Sequence, residues 1–412
     1  MMKAPHSHSY PLLSALLFFF FVTWSSSGSL LSIWLHQEVG LKAGDTGIIY
    51  AVLSVSALFA QVCYGFIQDK LGLRKHLLWY ITALLILSGP AYLLFGHLLK
   101  INVLLGSIFG GIYIGLTFNG GIGVLESYTE RVARQSQFEF GRARMWGSLG
   151  WAVATFFAGL LFNINPQLNF LVASCSGLVF FILLARLRVS SAPHAMQEAV
   201  SGGKVTLEDA LRLLTLPRFW ALVFFVIGTC IYGVYDQQFP VYFSSQFATL
   251  QEGNEMYGYL NSFQVFLEAA GMFCAPWLVN RIGAKNALLT AGMIMSVRIL
   301  GSSFASSAVE VVILKMLHMF EIPFLLVGTF KYISSAFNPR LSATLFLIGF
   351  NLSKQLSGVV LSAWVGRMYD TVGFHQAYLI LGCITLSFTL LSFVTLRGGN
   401  RLLPTAETQS PA

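Results

Sequence analysis

The chain of 412 residues is 56% hydrophobic and only 10% charged. Water-soluble domains carry about a quarter of their residues as charged side chains, so this composition excludes a soluble protein and predicts an integral membrane protein. The net charge of +8 comes from lysines and arginines that stand singly or in small groups, which excludes a nucleic-acid-binding stripe and favours contact with anionic membrane lipid.

Apolar segments of about 20 residues, long enough to cross a bilayer, follow one another along the whole chain. The first continues to Trp34 without a small-residue cleavage pattern, so we interpret it as a helix of the mature protein rather than a signal peptide. We predict an all-α membrane protein with twelve transmembrane helices near 11–35, 46–67, 76–98, 102–125, 143–164, 168–187, 218–244, 257–279, 286–306, 308–336, 341–366 and 374–396.

The connections between the predicted helices differ in charge. Lysines and arginines flank alternate connections, whereas the opposite connections carry acidic residues such as Glu38, Asp45 and Glu252. Because positively charged connections stay on the cytoplasmic side, this pattern predicts that both termini face the cytoplasm. The five cysteines all lie inside predicted helices, where they would not serve as extracellular staples, so we predict no disulfide.

A long connection divides the predicted helices six and six. Its serine, glycine and proline content indicates a linker. We predict an N-terminal six-helix bundle over 1–188, a cytoplasmic linker over 189–217, a C-terminal six-helix bundle over 218–397 and a disordered cytoplasmic tail over 398–412. Parallel six-helix repeats of this kind are the layout of major facilitator transporters, which hold their substrate near the membrane midplane between the halves.

A weak internal repeat supports this division. Segment 65–75, after the second predicted helix, is echoed by segment 276–286 after the eighth. We interpret the first copy as a cytoplasmic gating motif that resembles the major facilitator signature and consists of Gly65, Asp69, Gly72, Arg74 and Lys75. The alternative is a simple turn, which the glycine permits and which the cations hold on the cytoplasmic side.

The fifth predicted helix carries a polar face. Arg144, Ser148 and Trp151 are spaced by four and three residues, so they share one side of the helix. Arginine supplies forked donors for neighbouring sugar hydroxyls, and an indole packs on the C–H face of a pyranose, which together indicate a sugar site. Glu126, at the end of the fourth helix, is a ready counter-charge. The alternative is an arginine that reaches the membrane interface beside an interfacial tryptophan.

The eighth predicted helix carries a polar stripe on an otherwise apolar surface. Asn261, Gln264 and Glu268 are spaced by three and four residues, so they also share one face. Polar groups that face lipid are costly, and the stripe is therefore expected to line a water-filled cavity in which these side chains contact the substrate.

Charge inside the tenth predicted helix is the most informative feature of the chain. Lys315, His318 and Glu321 recur at every third position and share one broad face. A histidine beside a carboxylate in a low-dielectric site changes its proton affinity with its neighbours, as proton coupling requires. The alternative is a set of structural ion pairs. Further ionisable side chains that need partners lie in the seventh and ninth helices: Tyr232, Asp236 and Arg298.

Segments from both halves of the chain resemble one family. They are 33–36, 69–75, 138–144, 236–238, 295–298 and 314–321. In order and spacing they are similar to the bacterial oligosaccharide:proton symporters of the major facilitator superfamily. The resemblance implies a multi-pass protein of the bacterial inner membrane that imports a disaccharide or small oligosaccharide with a proton by alternating access. It also implies a monomer with no cofactor and no metal.

For the sugar site, the resemblance implies that Glu126 and Arg144 hold the sugar and that Trp151 stacks on its ring. One departure concerns the eighth helix. The carboxylate of lactose-type members would fall at Val265, whereas Glu268 stands three residues later, as in sucrose-type members. We therefore slightly favour a sucrose-type substrate, with an α- or β-galactoside as the alternative.

For the proton site, the resemblance implies that Glu321 carries the coupled proton with Arg298 nearby. His318 and Tyr232 would link the sugar to the proton. These roles agree with the free-energy cost of ionisable side chains inside the membrane, which are usually either functional or paired with an opposite charge.

For the remaining charges, the resemblance implies a pair between Asp236 and Lys315. Lys354, in the eleventh predicted helix, stands apart because Gly233 occupies the position at which lactose-type members carry its acidic partner. We hypothesise that desolvation lowers the proton affinity of Lys354 or that this lysine is drawn toward Asp236.

Three other functions remain as alternatives. A membrane enzyme such as a lipid-linked sugar transferase would need acid, histidine or metal-ligand clusters at the interface, and none stands out. A non-transporting sugar sensor would need a signalling domain, whereas only a short tail follows the last helix. An efflux antiporter for apolar cations would need a largely apolar site, against which the stripe in the eighth helix argues.

Overall fold

The computed structural model of the chain describes residues 9–188, 213–337 and 345–396, apart from the side chains of Asp69, Leu347 and Ile348. Most of the predicted linker and the predicted tail lie outside these residues, so the domain boundaries stay a prediction. Within the described ranges every regular element is a helix, which confirms the all-α class.

The first half of the chain forms six membrane spans. The third is bent by 59° where its two helices meet. In chain order the helices of the six spans are Ser9–Gly28 with Leu31–Gln37, Ala43–Leu71, His76–Ile86 with Ser88–Ile101, Val103–Ile114 with the π-helical Gly115–Gly120 and Gly121–Ser136, Phe140–Ile164, and Gln167–Arg186.

The second half forms six more. Its last helical stretch has 43 residues and would be about 65 Å long if straight, twice the thickness of a bilayer core. The non-helical, positive-φ backbone of Gly373 divides this stretch into two spans. The helices are Pro217–Thr229 with Ile231–Ser244, Leu250–Ile282, Ala284–Phe304, Ala308–Met316 with His318–Ala336, and finally the π-helical Phe346–Leu352 with Ser353–Thr395.

Several helices are longer than their apolar segments. The eighth span was predicted at 257–279 but runs over Leu250–Ile282. Its start is fixed by Thr249, whose side chain accepts a hydrogen bond from the backbone N–H of Glu252. Hydropathy detects only the part of a helix inside hydrocarbon, whereas polar residues continue the helix into the interface.

The two copies of the internal repeat form equivalent turns. Gly72 and Gly283 have positive φ angles of 58° and 86°, which glycine adopts without strain. Lys75 donates hydrogen bonds to the carbonyls of Leu184 and Leu187 at 3.0 and 2.7 Å, and Lys285 donates to the carbonyl of Phe393 at 2.8 Å. Each turn is therefore tied to the last span of its own half.

Among the residues of the predicted gating motif, the structure buries Gly72 and leaves Gly65 and Arg74 exposed. The backbone of Asp69 is helical, and its side chain lies outside the description. The contacts of Lys75 fit the simple-turn alternative, and a gating role for this segment stays a prediction.

Polar contacts join the two halves at the end of the bundle opposite these turns, which we call the closed end. Asp370 accepts hydrogen bonds from the backbone N–H groups of Ala43 and Gly44 at 3.0 and 2.7 Å. Gln238 donates to the carbonyl of Ala43 at 2.9 Å. Nearby, the side chains of Gln37 and Asn254 exchange hydrogen bonds of 3.1 and 3.0 Å.

Glycines bring the backbones of the two halves together at the closed end. A Cβ atom on Gly47 would lie 2.3 Å from the carbonyl oxygen of Ser362, and one on Gly159 would lie 2.3 Å from that of Asn254. No side chain fits in these gaps, so the second span packs directly on the eleventh and the fifth packs on the eighth. The two halves are in close contact at this end.

Candidate functional site

Three spans of the second half bring their ionisable groups into one buried network. Arg298 lies at its centre: its guanidinium donates to Asp236 at 2.9 and 3.3 Å and to Glu321 at 2.6 and 3.0 Å. Lys315 donates to Asp236 at 2.7 Å, and the Nδ1 atom of His318 lies 2.5 Å from a carboxylate oxygen of Glu321. The side chains of Arg298 and Glu321 are fully buried.

The tenth span positions its charges through a helix break. The helix Ala308–Met316 ends and the helix His318–Ala336 begins on either side of Leu317. Lys315 therefore lies in a last turn, where the helix dipole favours a cation, and Glu321 lies in a first turn, where it favours an anion. The sequence spacing predicted the shared face but not this break.

Aromatic rings cover the cations of the network. The guanidinium of Arg298 lies 4.8 Å from the ring centroid of Tyr235, and the ammonium of Lys315 lies 4.6 Å from that of Phe239. Sequence reasoning missed both rings. A signal was available, since these aromatic residues flank Asp236 in the seventh span. Cation–π contacts help to hold desolvated cations in place.

The fourth and fifth spans form a second, more open cluster. Arg144 and Glu126 form an ion pair in which each side chain is about a third exposed, at 32% and 33%. Arg144 also donates to the hydroxyl of Ser148 at 3.4 Å and lies 4.4 Å from the ring centroid of Phe21. Its accessible donors can form hydrogen bonds with a polar ligand, unlike those of the buried Arg298.

Trp151 lies beside this ion pair and is half-buried. Its ring is 5.6 Å from that of Trp24 at an angle of 81°, and 6.4 Å from that of Phe21. The first span thus supplies an aromatic wall that sequence reasoning missed. The neighbouring π-helical turn Gly115–Gly120 adds Phe118, and π-helical geometry is frequent at functional sites.

The polar stripe of the eighth span reaches the buried network. Asn261 and Gln264 are buried, and the side-chain oxygen of Gln264 has no hydrogen-bond partner among the described residues. One carboxylate oxygen of Glu268 lies 3.8 Å from the Nε2 atom of His318. The imidazole therefore stands between the carboxylates of Glu268 and Glu321. No hydrogen bond or ion pair among residues 9–188, 213–337 and 345–396 joins this network directly to Arg144.

The place of Lys354 among the charge pairs stays a prediction. In the described ranges no ion pair includes Lys354, and its ammonium instead lies 5.6 Å from the ring centroid of Tyr232. Arg298 and Lys315 both donate to Asp236, and His318 also lies 3.8 Å from it. Gly233 leaves open space, since a Cβ there would meet no atom within 4 Å. The ring of Tyr232 lies 6.1 Å from that of His318.

Replacing Lys354 with methionine is expected to leave sugar accumulation within about twofold of the wild type, because no buried carboxylate then loses its partner. The matched control is Lys315→Met, which leaves Asp236 with one cation fewer and should strongly reduce accumulation. Uptake of labelled sugar, normalised to the amount of protein in the membrane, measures both. Loss of folded Lys354→Met protein from the membrane would show instead that this lysine is an obligatory partner.

Three members of the network have the geometry of a metal site. Donor atoms of Asp236, His318 and Glu321 lie within 4.8 Å of one another. The carboxylate oxygens, however, already accept from Arg298 and Lys315, so an ion there would lie beside two fixed positive charges. This donor set fits a proton better than a metal.

Comparison of the sequence with known proteins matches the chain to one family. The model of the LacY proton/sugar symporter family matches residues 2–407. The lactose permease of Klebsiella oxytoca is 54% identical over 377 residues, covering 90% of this chain and 91% of that protein. The sucrose permease of Escherichia coli is 39% identical over 385 residues and covers 92% of each chain.

Solved structures agree on the fold. The crystal structure of the nucleoside transporter NupG superposes with a TM-score of 0.75 at 14% identity, covering 95% of this chain and 99% of that one. At this identity the likeness establishes the major facilitator fold alone. The predicted fold class is confirmed, and the chain is a transporter and not an enzyme. With a family model matching nearly its whole length, this multi-pass membrane protein belongs to the LacY family of proton/sugar symporters.

Proposed function

We propose that the chain imports a disaccharide together with one proton across the bacterial inner membrane by alternating access. The observation that carries this proposal is the position of Glu321, fully buried and in contact with both Arg298 and His318. A carboxylate held this way changes the charge of the whole network when it gains or loses a proton.

The charge cost of the buried network suggests an order of events. Glu321 shares the cation Arg298 with Asp236, so a carrier that closes around an ionised Glu321 would still pay a desolvation cost. Protonation of Glu321 therefore precedes sugar binding and reorientation. One proton moving through 100 mV supplies about 2.3 kcal/mol, which is sufficient for roughly fiftyfold accumulation of a neutral sugar.

The sugar lies between the two clusters in this proposal. Arg144, paired with Glu126, donates to sugar hydroxyls, and Trp151 stacks on the pyranose ring. Glu268 completes the site from the eighth span, where its contact with His318 links the sugar to Glu321. Ser148, Asn261, Gln264 and Tyr232 supply further polar contacts to the sugar or to the network.

We propose a galactoside as the substrate, with sucrose as the second candidate. Identity to the lactose permease of Klebsiella oxytoca, 54%, exceeds identity to the sucrose permease of Escherichia coli, 39%, over similar coverage. The observation that favours sucrose is local. Glu268 takes the place of the lactose-type carboxylate one turn along, and Val265 stands at the lactose-type position.

We further infer that both termini are cytoplasmic and that the closed end faces the periplasm. The turns at Gly72 and Gly283 then lie in the cytoplasm, in agreement with their lysines and arginines. The close glycine contacts at the closed end and the partial exposure of Arg144 support a conformation that opens toward the cytoplasm.

The experiment is a proton-uptake assay in lightly buffered, de-energised cells that produce the protein. External pH is recorded as lactose, melibiose, raffinose, sucrose and maltose are added in turn. We expect an alkaline shift with lactose and with melibiose, abolished by a protonophore and absent from cells that lack the protein. A shift with sucrose alone would select the second candidate. Normal amounts of protein in the membrane with no shift for any sugar would contradict proton-coupled disaccharide import.

A further inference from the structure

Trp24, at the end of the first helix of the chain, lies in the wall beside Trp151 without an assigned role. Its ring is parallel to that of Phe118, with an interplanar angle of 8° and a centroid distance of 5.8 Å. Its plane makes an angle of 81° with that of Trp151, at a centroid distance of 5.6 Å. The two indole planes are therefore nearly perpendicular and form a corner. Trp24 is held by stacking on Phe118, and Trp151 is the ring on which the sugar is expected to stack.

The relative position of the two spans that carry these tryptophans is fixed by close backbone packing. A Cβ on Gly150 would lie 2.3 Å from the carbonyl oxygen of Phe18, so the helices touch at this level. The hydroxyl of Ser25, next to Trp24, donates to the carbonyl of Trp151 at 3.0 Å. The first and fifth spans cannot slide past each other without breaking these contacts, and the corner is therefore a preformed feature.

The indole N–H of Trp24 has no acceptor within the described part of the chain, although Trp24 is only half-buried and its nitrogen is not enclosed. Buried tryptophan N–H groups usually find a hydrogen-bond partner, and at a half-buried position water or a ligand can supply one. The hydroxyl-rich face of a sugar offers many oxygen acceptors. An indole that is held by stacking and keeps a free donor suits recognition of such a ligand, because little side-chain freedom is lost on binding.

We propose that Trp24 is a second sugar-contacting tryptophan, whose indole N–H donates to one hydroxyl oxygen of the sugar that stacks on Trp151. This inference rests on the proposed function and adds a specificity-determining residue to it. The hydrogen bond selects sugars with an oxygen at the matching ring position.

The test replaces Trp24 with phenylalanine, which keeps a ring to stack on Phe118 but removes the donor. Binding of labelled sugar to purified protein is expected to weaken about tenfold, the usual effect of one uncharged hydrogen bond. Transport at saturating sugar should stay within about twofold of the wild type. Trp24→His, which keeps a ring N–H, should recover part of the affinity. The control is Trp364→Phe, which alters an exposed ring in the eleventh span.

A set of monodeoxy analogues of the sugar then identifies the contact. Wild-type protein should lose about tenfold affinity for the one analogue that lacks the acceptor oxygen, whereas Trp24→Phe should bind that analogue and the parent sugar almost equally. Unchanged affinity in Trp24→Phe, or an equal loss for every analogue, would overturn the inference and leave Trp24 as a packing residue. Failure of the wild type to bind any sugar would overturn the proposed function, and this inference with it.

Discussion

Replacing Glu321 with glutamine is expected to abolish uphill accumulation of sugar while exchange of internal for external sugar continues. Glutamine keeps the shape of the side chain and can still bond to Arg298, but it cannot gain or lose a proton. The carrier then behaves as if permanently protonated, so its reorientation with bound sugar is no longer driven by the proton gradient. Accumulation should fall from roughly fiftyfold, the limit set by 100 mV, to no gradient at all.

Labelled sugar measures both processes in the same membrane vesicles: accumulation driven by an imposed pH gradient, and exchange at equal concentrations without one. The matched control is Glu252→Gln, since Glu252 is exposed at the start of the eighth span and should behave as the wild type. Accumulation retained in Glu321→Gln would contradict the assignment of the coupled proton to this residue.

Replacing Arg144 with lysine is expected to weaken sugar binding about 10- to 100-fold. Lysine keeps the positive charge but loses the forked donors that address two oxygens at once, and each hydrogen bond to a charged group contributes about 1.5–3 kcal/mol. The hydrogen bond from the guanidinium of Arg144 to Ser148 is also lost. The change should raise the sugar concentration needed for half-maximal uptake, and folding should be preserved because this pair is partly exposed.

A pair close by in sequence provides the control. Arg134 and Glu130 also form an ion pair at the end of the fourth span, but the side chain of Arg134 is 60% exposed. Exposed pairs contribute about 0–1 kcal/mol, so Arg134→Lys should leave sugar binding unchanged. Equilibrium binding to purified protein compares the two variants. Binding by Arg144→Lys within about threefold of the wild type would remove Arg144 from the sugar site.

Much of the fold could be predicted from the sequence because hydropathy and helical periodicity both depend on residues that are close together in the chain. Hydropathy located the spans, and helical periodicity placed Lys315, His318 and Glu321 on one face, where the structure has them. Asn261 and Gln264 were expected to line a water-filled cavity; both are buried, and their contact with the substrate stays a prediction. In each case the deciding residues lie within a turn or two of one another.

What could not be predicted depends on contacts between distant segments. Asp236 and Lys315 are 79 residues apart, and only the family resemblance suggested their pairing. Nothing local to Trp24 indicates that it meets Trp151, since their approach depends on a glycine contact between two helices. The surroundings of Lys354 could not be predicted for the same reason: counting charges does not reveal that Arg298 and Lys315 both donate to Asp236, the carboxylate that Lys354 was expected to approach.

The closed end holds together with almost no formal charge, and this has a consequence for the response to membrane potential. Its contacts are made by backbone groups, amides and glycines, and its acceptor Asp370 bonds to backbone N–H groups at the edge of the bundle. Separating these surfaces moves little charge through the membrane field. Voltage, worth about 2.3 kcal/mol per elementary charge at 100 mV, therefore acts mainly on the proton at the centre of the molecule. We therefore expect the opening of the closed end to depend little on membrane potential, whereas protonation of the buried network depends on it.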